Sequence, residues 1–455
     1  MEDVIDIELL MEMHQSIPRY TSYPTAPMWG AFTASDYENS LQNAQGPFSV
    51  YVHIPFCKTM CLYCGCSVVL NRKPENEERY VQYLCKEIEL IANKLSTNKV
   101  NQLHFGGGTP TQLDERQFDL LFSKLKNSFE IDFSSEVAIE IDPRTIGDGK
   151  KLKTLRTLGF NRVSFGVQDT NQKVQEQVRR YQSLELTQSC FYQAKELGFS
   201  GINIDLIYGL PFQTRVTFEE TVKHVLQMRP DRIALFSYAK IPWLKPHQKA
   251  IKEESLPTTS EKFEIYLFAR AAFQKAGYVA IGMDHFALSS DDLAKAYEKK
   301  QLQRNFQGYT VGKAENMLGF GMTSIGYVSG SYVQNKKELT AYYQALDERE
   351  IPVERGKTLT EDDHIRRFVI QRLMCDFILD KNEVEKRFSI TFNAYFQKEL
   401  ELLMHFAEKG LLEQYENKII VGMKGELFIR NIAAVFDVYL NQKMGKENIQ
   451  YSKSI

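Results

Sequence analysis

The sequence predicts an α/β protein: a partial (β/α) barrel with an N-terminal extension and a mainly helical, winged-helix-like C-terminal domain. Three observations predict it. From Phe48 onward, apolar β-branched runs alternate with amphipathic helical patterns, as parallel strands joined by right-handed helical crossovers require. Each strand-like run ends in polar or glycine-rich residues, at the end where β/α barrels carry their active sites. The last hundred residues change to helical runs with short strand-like pieces. The boundaries implied are 1–47, 48–355 and 356–455.

In the extension, Met1 to Met13 alternates acidic and apolar residues and lacks the basic start and long apolar run of a signal peptide. A short helix fits there. Residues 18–27 are rich in proline and tyrosine and do not form a long helix. Two readings stand: a strap that packs its tyrosines on the main domain, or a flap over the active site that supplies Arg19. Strand-like runs follow at 48–54, 100–105, 136–142, 160–168, 201–209, 232–239 and 277–283. Between them, the 77–95 stretch repeats Tyr80, Leu84, Ile88, Ile91 and Leu95 on one helical face. This gives six or seven units, near the eight of a closed barrel. Residues 290–355 are less regular, and Asn305–Thr310 and Leu318–Met322 are expected to be glycine-bearing loops. Helices are expected at 361–378, 381–387, 392–409 and 424–440, with strand-like pieces near 411–422.

Hydrophobic residues make up 43 % of the 455 positions, enough for a large core. The 56 basic and 58 acidic residues nearly cancel, which removes the global basic field that nucleic acid or an anionic membrane would need. The C-terminal domain has the motif order of a DNA-binding module but mixed charges and no basic recognition helix, so a lid or scaffold role fits better. No stretch reaches the length of a membrane span. Four of the seven cysteines crowd into 57–66, while Cys85, Cys190 and Cys375 are scattered. An odd, clustered set argues against a disulfide framework and for a reducing cytoplasm.

Cys57, Cys61 and Cys64 stand at C-x3-C-x2-C spacing directly after the first strand. Three thiolates are one short of filling a 4Fe-4S cluster, which leaves one iron open for a ligand. A zinc site or unrelated buried thiols are the rival readings. Cys66 is a fourth ligand, a nearby redox or hydrogen-bonding thiol, or packing; its closeness to Cys64 favours the second. Gly106-Gly107-Gly108-Thr109-Pro110 has the wrong spacing for a dinucleotide fingerprint and instead offers backbone groups to a ligand. Glu140 and Asp205 each lie inside an apolar strand, a costly place without a partner; a ribose, a sulfonium or a cross-barrel salt bridge would serve. Arg180 has the reach to bind a carboxylate bidentately. His53, four residues before Cys57, either donates a proton near the cluster or packs there.

These stretches resemble the radical S-adenosylmethionine family of oxygen-independent coproporphyrinogen III oxidases (dehydrogenases) of bacterial heme biosynthesis. The resemblance runs nearly end to end: PRYTSYPTAP at 18–27, YVHIPFC…C..CGC at 51–66, LHFGGGTPT at 103–111 and IEIDPR at 139–144. It continues with FGVQD at 165–169, NIDLIYGLP at 203–211, GMDHFA at 282–287, RNFQGYT at 304–310 and IRNI at 429–432. It implies a partial barrel of radical SAM type and a 4Fe-4S cluster on Cys57, Cys61 and Cys64. Tyr51, Gly107 and Glu140 would contact the S-adenosylmethionine on the open iron. A second S-adenosylmethionine, or a site usable by substrate, would involve Tyr63, Gly108, Thr109, Gln168, Arg180, Asp205, Ala239 and Ile325. Cys66, His53 and Tyr51 are the candidate catalytic residues. The implied reaction is oxidative decarboxylation of the ring A and B propionates of coproporphyrinogen III to vinyls by a 5′-deoxyadenosyl radical, giving protoporphyrinogen IX. An electron donor and acceptor, unidentified, are required, and the chain is expected to be a cytoplasmic monomer without nucleic-acid or membrane partners. Related heme chaperones share the barrel and three cysteines but usually carry phenylalanine at the Cys66 position. A heme chaperone and an anaerobic heme-opening radical enzyme are the competing functions.

Overall fold

The computed structural model describes residues 6–311, 314–443 and 450–454; the first five residues of the predicted leader lie outside them. Twelve strands build the main sheet: β1 Phe48–Ile54, β2 Lys99–Gly107, β3 Glu130–Ile141, β4 Arg162–Gln168, β5 Gly201–Tyr208, β6 Arg232–Ser237, β7 Tyr278–Ile281, β8 His285–Leu288, β9 Asn316–Phe320, β10 Ile325–Val328, β11 Ser331–Asn335 and β12 Val353–Thr358. Their order is β12-β11-β10-β9-β1-β2-β3-β4-β5-β6-β8-β7, open at both ends. From β9 through β6 every neighbouring pair is parallel. On both flanks the pairing turns antiparallel.

The first six predicted strands are the parallel β1 to β6. The seventh, at 277–283, is corrected: it forms the outer arm of an antiparallel hairpin with β8. The 290–355 region is corrected too. Leu318 to Phe320 belongs to β9, a wholly buried strand parallel to β1. Gly319 is required there, since a Cβ would stand 2.7 Å from the Ile325 carbonyl oxygen. Asn305 and Gly308–Thr310 sit in a short hairpin. The expected boundary at 355/356 would cut β12, so the sheet ends at Thr358.

The helix Pro74–Ala92 buries Tyr80, Leu84, Ile88 and Ile91 against the sheet, as their spacing predicts. Proline at its first turn and acidic Glu75 and Glu77 suit a helix start. Phe105, Phe118, Phe122 and Phe160 interlock beside β2 with centroids 5.1–6.4 Å apart. One apolar core runs from Leu10 through the sheet to Phe436.

After β12 come the helices Glu361–Asp376, Lys381–Phe388, Phe392–Tyr395 and Gln397–Glu408, with a three-stranded antiparallel sheet of Ile378–Asp380, Lys418–Val421 and Leu412–Gln414. The expected 424–440 helix is broken into Met423–Glu426, Ile429–Ala434 and Val438–Lys443. The break before the middle piece falls at Phe428, whose backbone (φ −115°, ψ 22°) leaves helical geometry, and all six residues of that piece are buried. The leader forms the helices Ile7–Met13 and Ala34–Gln42 around an irregular strap in which Tyr20 and Tyr23 are buried. No helix among the described residues is long and apolar enough to cross a membrane.

Candidate active site

At the C-terminal ends of β1 to β6 lies a cavity of about 390 Å³. Beyond β1 the chain turns at Pro55 into Phe56–Cys57, which pairs in parallel with Val69–Leu70. That pairing closes the base of the cysteine loop, whose Cys57, Cys61 and Cys64 face the cavity with Cys66. Each ligand candidate is met by a donor. Cys57 Sγ lies 3.2 Å from Thr109 Oγ1. Cys61 Sγ accepts from Arg144 Nη2 at 3.7 Å and Arg180 Nη1 at 3.8 Å. Cys64 Sγ accepts from the Cys66 main-chain N–H at 3.4 Å. Burial pushes the Cys57 thiol up to about 12. Hydrogen bonding from Cys66 brings Cys64 down to about 7, and the same pairing holds Cys66 protonated. Thiols on one short loop, directed at one cavity and stabilised in part as thiolates, fit the separate corners of an iron–sulfur cluster. Among the described residues no three His, Cys, Asp or Glu side chains converge closely enough for a single ion.

The glycine run makes the second wall. Gly107 has φ +126°, and a Cβ there would meet the Ile54 carbonyl at 2.7 Å and the His53 ring at 2.9 Å. At Gly108 it would meet the Pro55 carbonyl at 2.5 Å. Absence of side chains is thus what lets β2 lie against the turn that launches the cysteine loop. The Gly107 N–H donates to Glu140 Oε2 at 3.2 Å, and His104 stands 3.3 Å from Oε1.

The third wall gathers Asp142, Gln168, Arg180 and Asp205. Gln168 takes φ +70°, where the β4–β5 register slips at Gly166; a non-glycine residue held in that region is strained, as active-site residues often are. Arg180 bridges Cys61, Asp142 Oδ2 (3.3 Å) and the Gly166 carbonyl. Burial opposes its charge, but Tyr63, Asp142 and Cys61 outweigh it and raise its pKa. Asp205 accepts from Ser164 Oγ (2.8 Å) and Asn203 Nδ2 (2.7 Å), and burial, with Glu140 nearby, still lifts it to about 6.

Tyr63, Gly107, Gly108, Thr109, Glu140, Gln168, Arg180, Asp205 and Ala239 all line this cavity, and so does Arg19 from the leader. The leader is therefore both a packed strap and the source of Arg19, whose guanidinium donates to the Ser237 carbonyl at 2.8 Å. Three expected residues, Ile325, His53 and Tyr51, lie outside the lining of this cavity. Ile325 packs on β10 with Trp29, Tyr327, Tyr332 and Leu359, outside the cavity lining. His53 does not line the cavity either: its Nε2 donates to the Ser67 carbonyl (3.1 Å), which leaves Nδ1 to accept from Tyr51 (3.1 Å). Burial lowers its pKa to about 4, so it is neutral at pH 7 and both nitrogens are engaged. It orients Tyr51, which lies behind the wall with its ring edge at Gly106 beside Glu140. Asp284 and His285 pair with each other, and Asp284 also accepts from Arg304, beside neighbouring cavities.

Sequence reasoning missed the segment that clamps the cysteine loop from outside. Lys245 Nζ donates to the Cys66 carbonyl (2.7 Å), His247 Nε2 to the Cys64 carbonyl (2.8 Å) and Gln248 Nε2 to the Tyr63 carbonyl (2.8 Å). Arg144, beside Asp142 and Cys61, was also missed. The segment carries no periodicity and no motif, and only its fold position reveals it.

Fold and cavity define the class. The family model "Radical SAM superfamily" matches residues 51–225, and "HemN C-terminal domain" matches 359–425. An oxygen-independent coproporphyrinogen III oxidase of Synechocystis sp. is 42 % identical over 98 % of this chain and 97 % of its own. That of Escherichia coli (strain K12) is 42 % identical over 99 % and 98 %. The solved structure of the Escherichia coli coproporphyrinogen III oxidase, described as a radical SAM enzyme, superposes with a TM-score of 0.90 at 41 % identity, covering 93 % of this chain and 100 % of that one. The chain belongs to the oxygen-independent coproporphyrinogen III oxidase family. The cofactors of its superfamily are a 4Fe-4S cluster and S-adenosylmethionine.

Proposed function

We propose that this enzyme oxidatively decarboxylates the ring A and B propionates of coproporphyrinogen III to vinyls, yielding protoporphyrinogen IX in heme biosynthesis without oxygen. The observation that carries the reading is the meeting of three thiols, a glycine wall and the carboxylates Glu140 and Asp205 around one cavity at the strand ends. When bound, the cluster and S-adenosylmethionine supply a radical able to take hydrogen from an unactivated propionate carbon.

The chain's own residues hold and orient. We assign Cys57, Cys61 and Cys64 to the irons, and Gly107, Glu140 and Tyr51 to the S-adenosylmethionine on the open iron, with His53 positioning Tyr51. Tyr63, Gly108, Thr109, Gln168, Arg180, Asp205 and Ala239 form the second cofactor or substrate wall. Cys66 acts as a non-ligand thiol. No residue here has to be a strong acid or base; what the protein contributes is proximity and a dry site. A monomer in a reducing cytoplasm, served by a separate electron donor and acceptor, fits this chemistry.

The deciding experiment gives anaerobically reconstituted protein S-adenosylmethionine, a low-potential reductant, coproporphyrinogen III and an added one-electron acceptor, and follows products by mass. Protoporphyrinogen with 5′-deoxyadenosine and methionine is expected. Cofactor cleavage without loss of carbon dioxide would overturn the substrate. Tight heme binding without any cleavage would overturn the enzyme in favour of a chaperone.

A further inference from the structure

The three ligand cysteines do not meet equal surroundings. Cys57 Sγ faces the Thr109 hydroxyl at 3.2 Å and Cys64 Sγ the Cys66 main-chain N–H at 3.4 Å, both neutral partners. Cys61, which is buried, faces charge: Arg144 Nη2 at 3.7 Å and Arg180 Nη1 at 3.8 Å. The fold leaves Arg144 little freedom. It follows the end of β3 in a single turn, Pro143–Thr145, which Asp142 caps by accepting from the Arg144 main-chain N–H at 3.0 Å. Asp142 also takes the side chain bidentately, with Nε 2.9 Å from Oδ1 and Nη2 2.6 Å from Oδ2. That fork geometry fixes a guanidinium in orientation as well as in place. Arg180 reaches the same Oδ2 at 3.3 Å and donates to the Gly166 carbonyl. One carboxylate between two guanidiniums leaves positive charge in excess, and it lies against Cys61. The side chains of Arg144, Asp142 and Arg180 are only 22 %, 11 % and 7 % exposed, so water screens this charge weakly.

A cluster that takes up one electron gains negative charge, and its potential follows the charges and hydrogen bonds at its sulfurs. Positive charge held beside a ligand sulfur therefore favours the reduced state. We propose that Arg144 is a tuning residue: held by Asp142 against Cys61 Sγ, it raises the reduction potential of the bound cluster, so that one electron passes more readily to it from a low-potential one-electron donor. This deepens the assignment of Cys57, Cys61 and Cys64 as cluster ligands and rests on it. Asp142 works in the opposite sense. It orients both guanidiniums, and its charge offsets part of theirs. Two partners in one ion pair thus act on the cluster with opposite signs, which a merely structural salt bridge would not do.

The test reconstitutes each protein anaerobically, checks its iron content, and titrates the cluster with dithionite and mediator dyes, the reduced state being read by electron paramagnetic resonance. The reference is the potential at which half of the wild-type clusters are reduced. There, Arg144→Gln should lower the reduced-to-oxidised ratio at least about threefold, since a unit charge at this range is worth that much even near the dielectric of water. Arg144→Lys, which keeps the charge but not the fork, should fall between the two. Asp142→Asn, which keeps an acceptor for the arginines, should raise the ratio. An unchanged ratio in Arg144→Gln, or shifts of one sign in Arg144→Gln and Asp142→Asn, would overturn the tuning role. If Arg144→Gln does not hold iron, Asp142→Asn must still move upward, and failure to do so would overturn the role equally. A wild-type protein that takes up no cluster would overturn the ligand assignment and the tuning role with it. Potentials ordered as expected in proteins that form no vinyl product would overturn the coproporphyrinogen reading and leave the tuning role standing.

Discussion

Two guanidiniums converge on Cys61 Sγ, and both also hold Asp142. The carboxylate fixes the arginines, and the arginines direct positive charge at a sulfur that must become a thiolate. Replacing Cys61 by alanine should abolish the broad visible absorption after anaerobic reconstitution; a normal spectrum would remove Cys61 from the ligand set. Cys66 is different. It is exposed, and both its main-chain N–H and its thiol are turned on the Cys64 sulfur. Cys66→Ser should retain iron and lose turnover, and loss of iron, read by spectroscopy and iron assay, would make it a ligand instead. The ligand spacing and the strand carboxylates were readable from the sequence because each breaks a local rule: thiols too crowded for packing, acids inside apolar strands. The role of His53 was not, since it depends on the Ser67 carbonyl fourteen residues away, reached only when the cysteine loop folds back.

At the scale of elements, the clamp after β6 holds the cysteine loop by its carbonyls. Gln248 is fully buried and also donates to the Ala239 carbonyl at 3.2 Å. Gln248→Leu leaves the Tyr63 and Ala239 carbonyls short of a donor and the Ile241 N–H short of an acceptor, at a cost of about 1–3 kcal/mol. The expected result is roughly tenfold faster loss of iron to a chelator, timed by the decay of cluster absorbance. At the opposite end of the strands Glu136, Arg162, Arg232 and Asp291 form a buried ion network with contacts of 2.7–3.2 Å. Burial disfavours the Glu136 charge, but Arg232 and Arg162 more than compensate and take it from 4.5 to about 2. That stabilisation is complete above pH 4.5 and is lost as pH falls toward 2, about 3 kcal/mol in all. Glu136→Gln should destabilise the protein at pH 7 by a similar amount and flatten the acid limb of its unfolding curve, measured by denaturant titration at several pH values.

Strands β1 to β6 were legible because apolar runs alternated with helical periods. β9 and β11 were not, because every residue in them is buried and nothing alternates. The direction of β7 was invisible for another reason: an apolar run has no arrow, and only its pairing with β8 makes it antiparallel.

In the whole molecule, distant parts of the chain close on one another. Ser16 pairs with Lys453 across an isolated bridge, and Arg430 stitches Ile17 and Pro18 to Ser452 and Lys453. Arg19 follows directly, so its place in the cavity is held by residues more than four hundred positions away. Deleting 450–454 should free the strap, seen as faster tryptic cleavage after Arg19 and a raised KM while the cluster spectrum persists; unchanged cleavage would show that the strap holds itself.

That stitch also sets an order of events during synthesis. The three ligand cysteines leave the ribosome within the first 64 residues, yet the last clasp on the strap that carries Arg19 forms only when residues past 450 have emerged. Once the lining up to Ala239 has been made, the thiols face a cavity whose strap still lacks its last clasp. The expected consequence is easier access for cluster assembly before Ser452 and Lys453 arrive, since the strap carrying Arg19 then lacks one of its anchors.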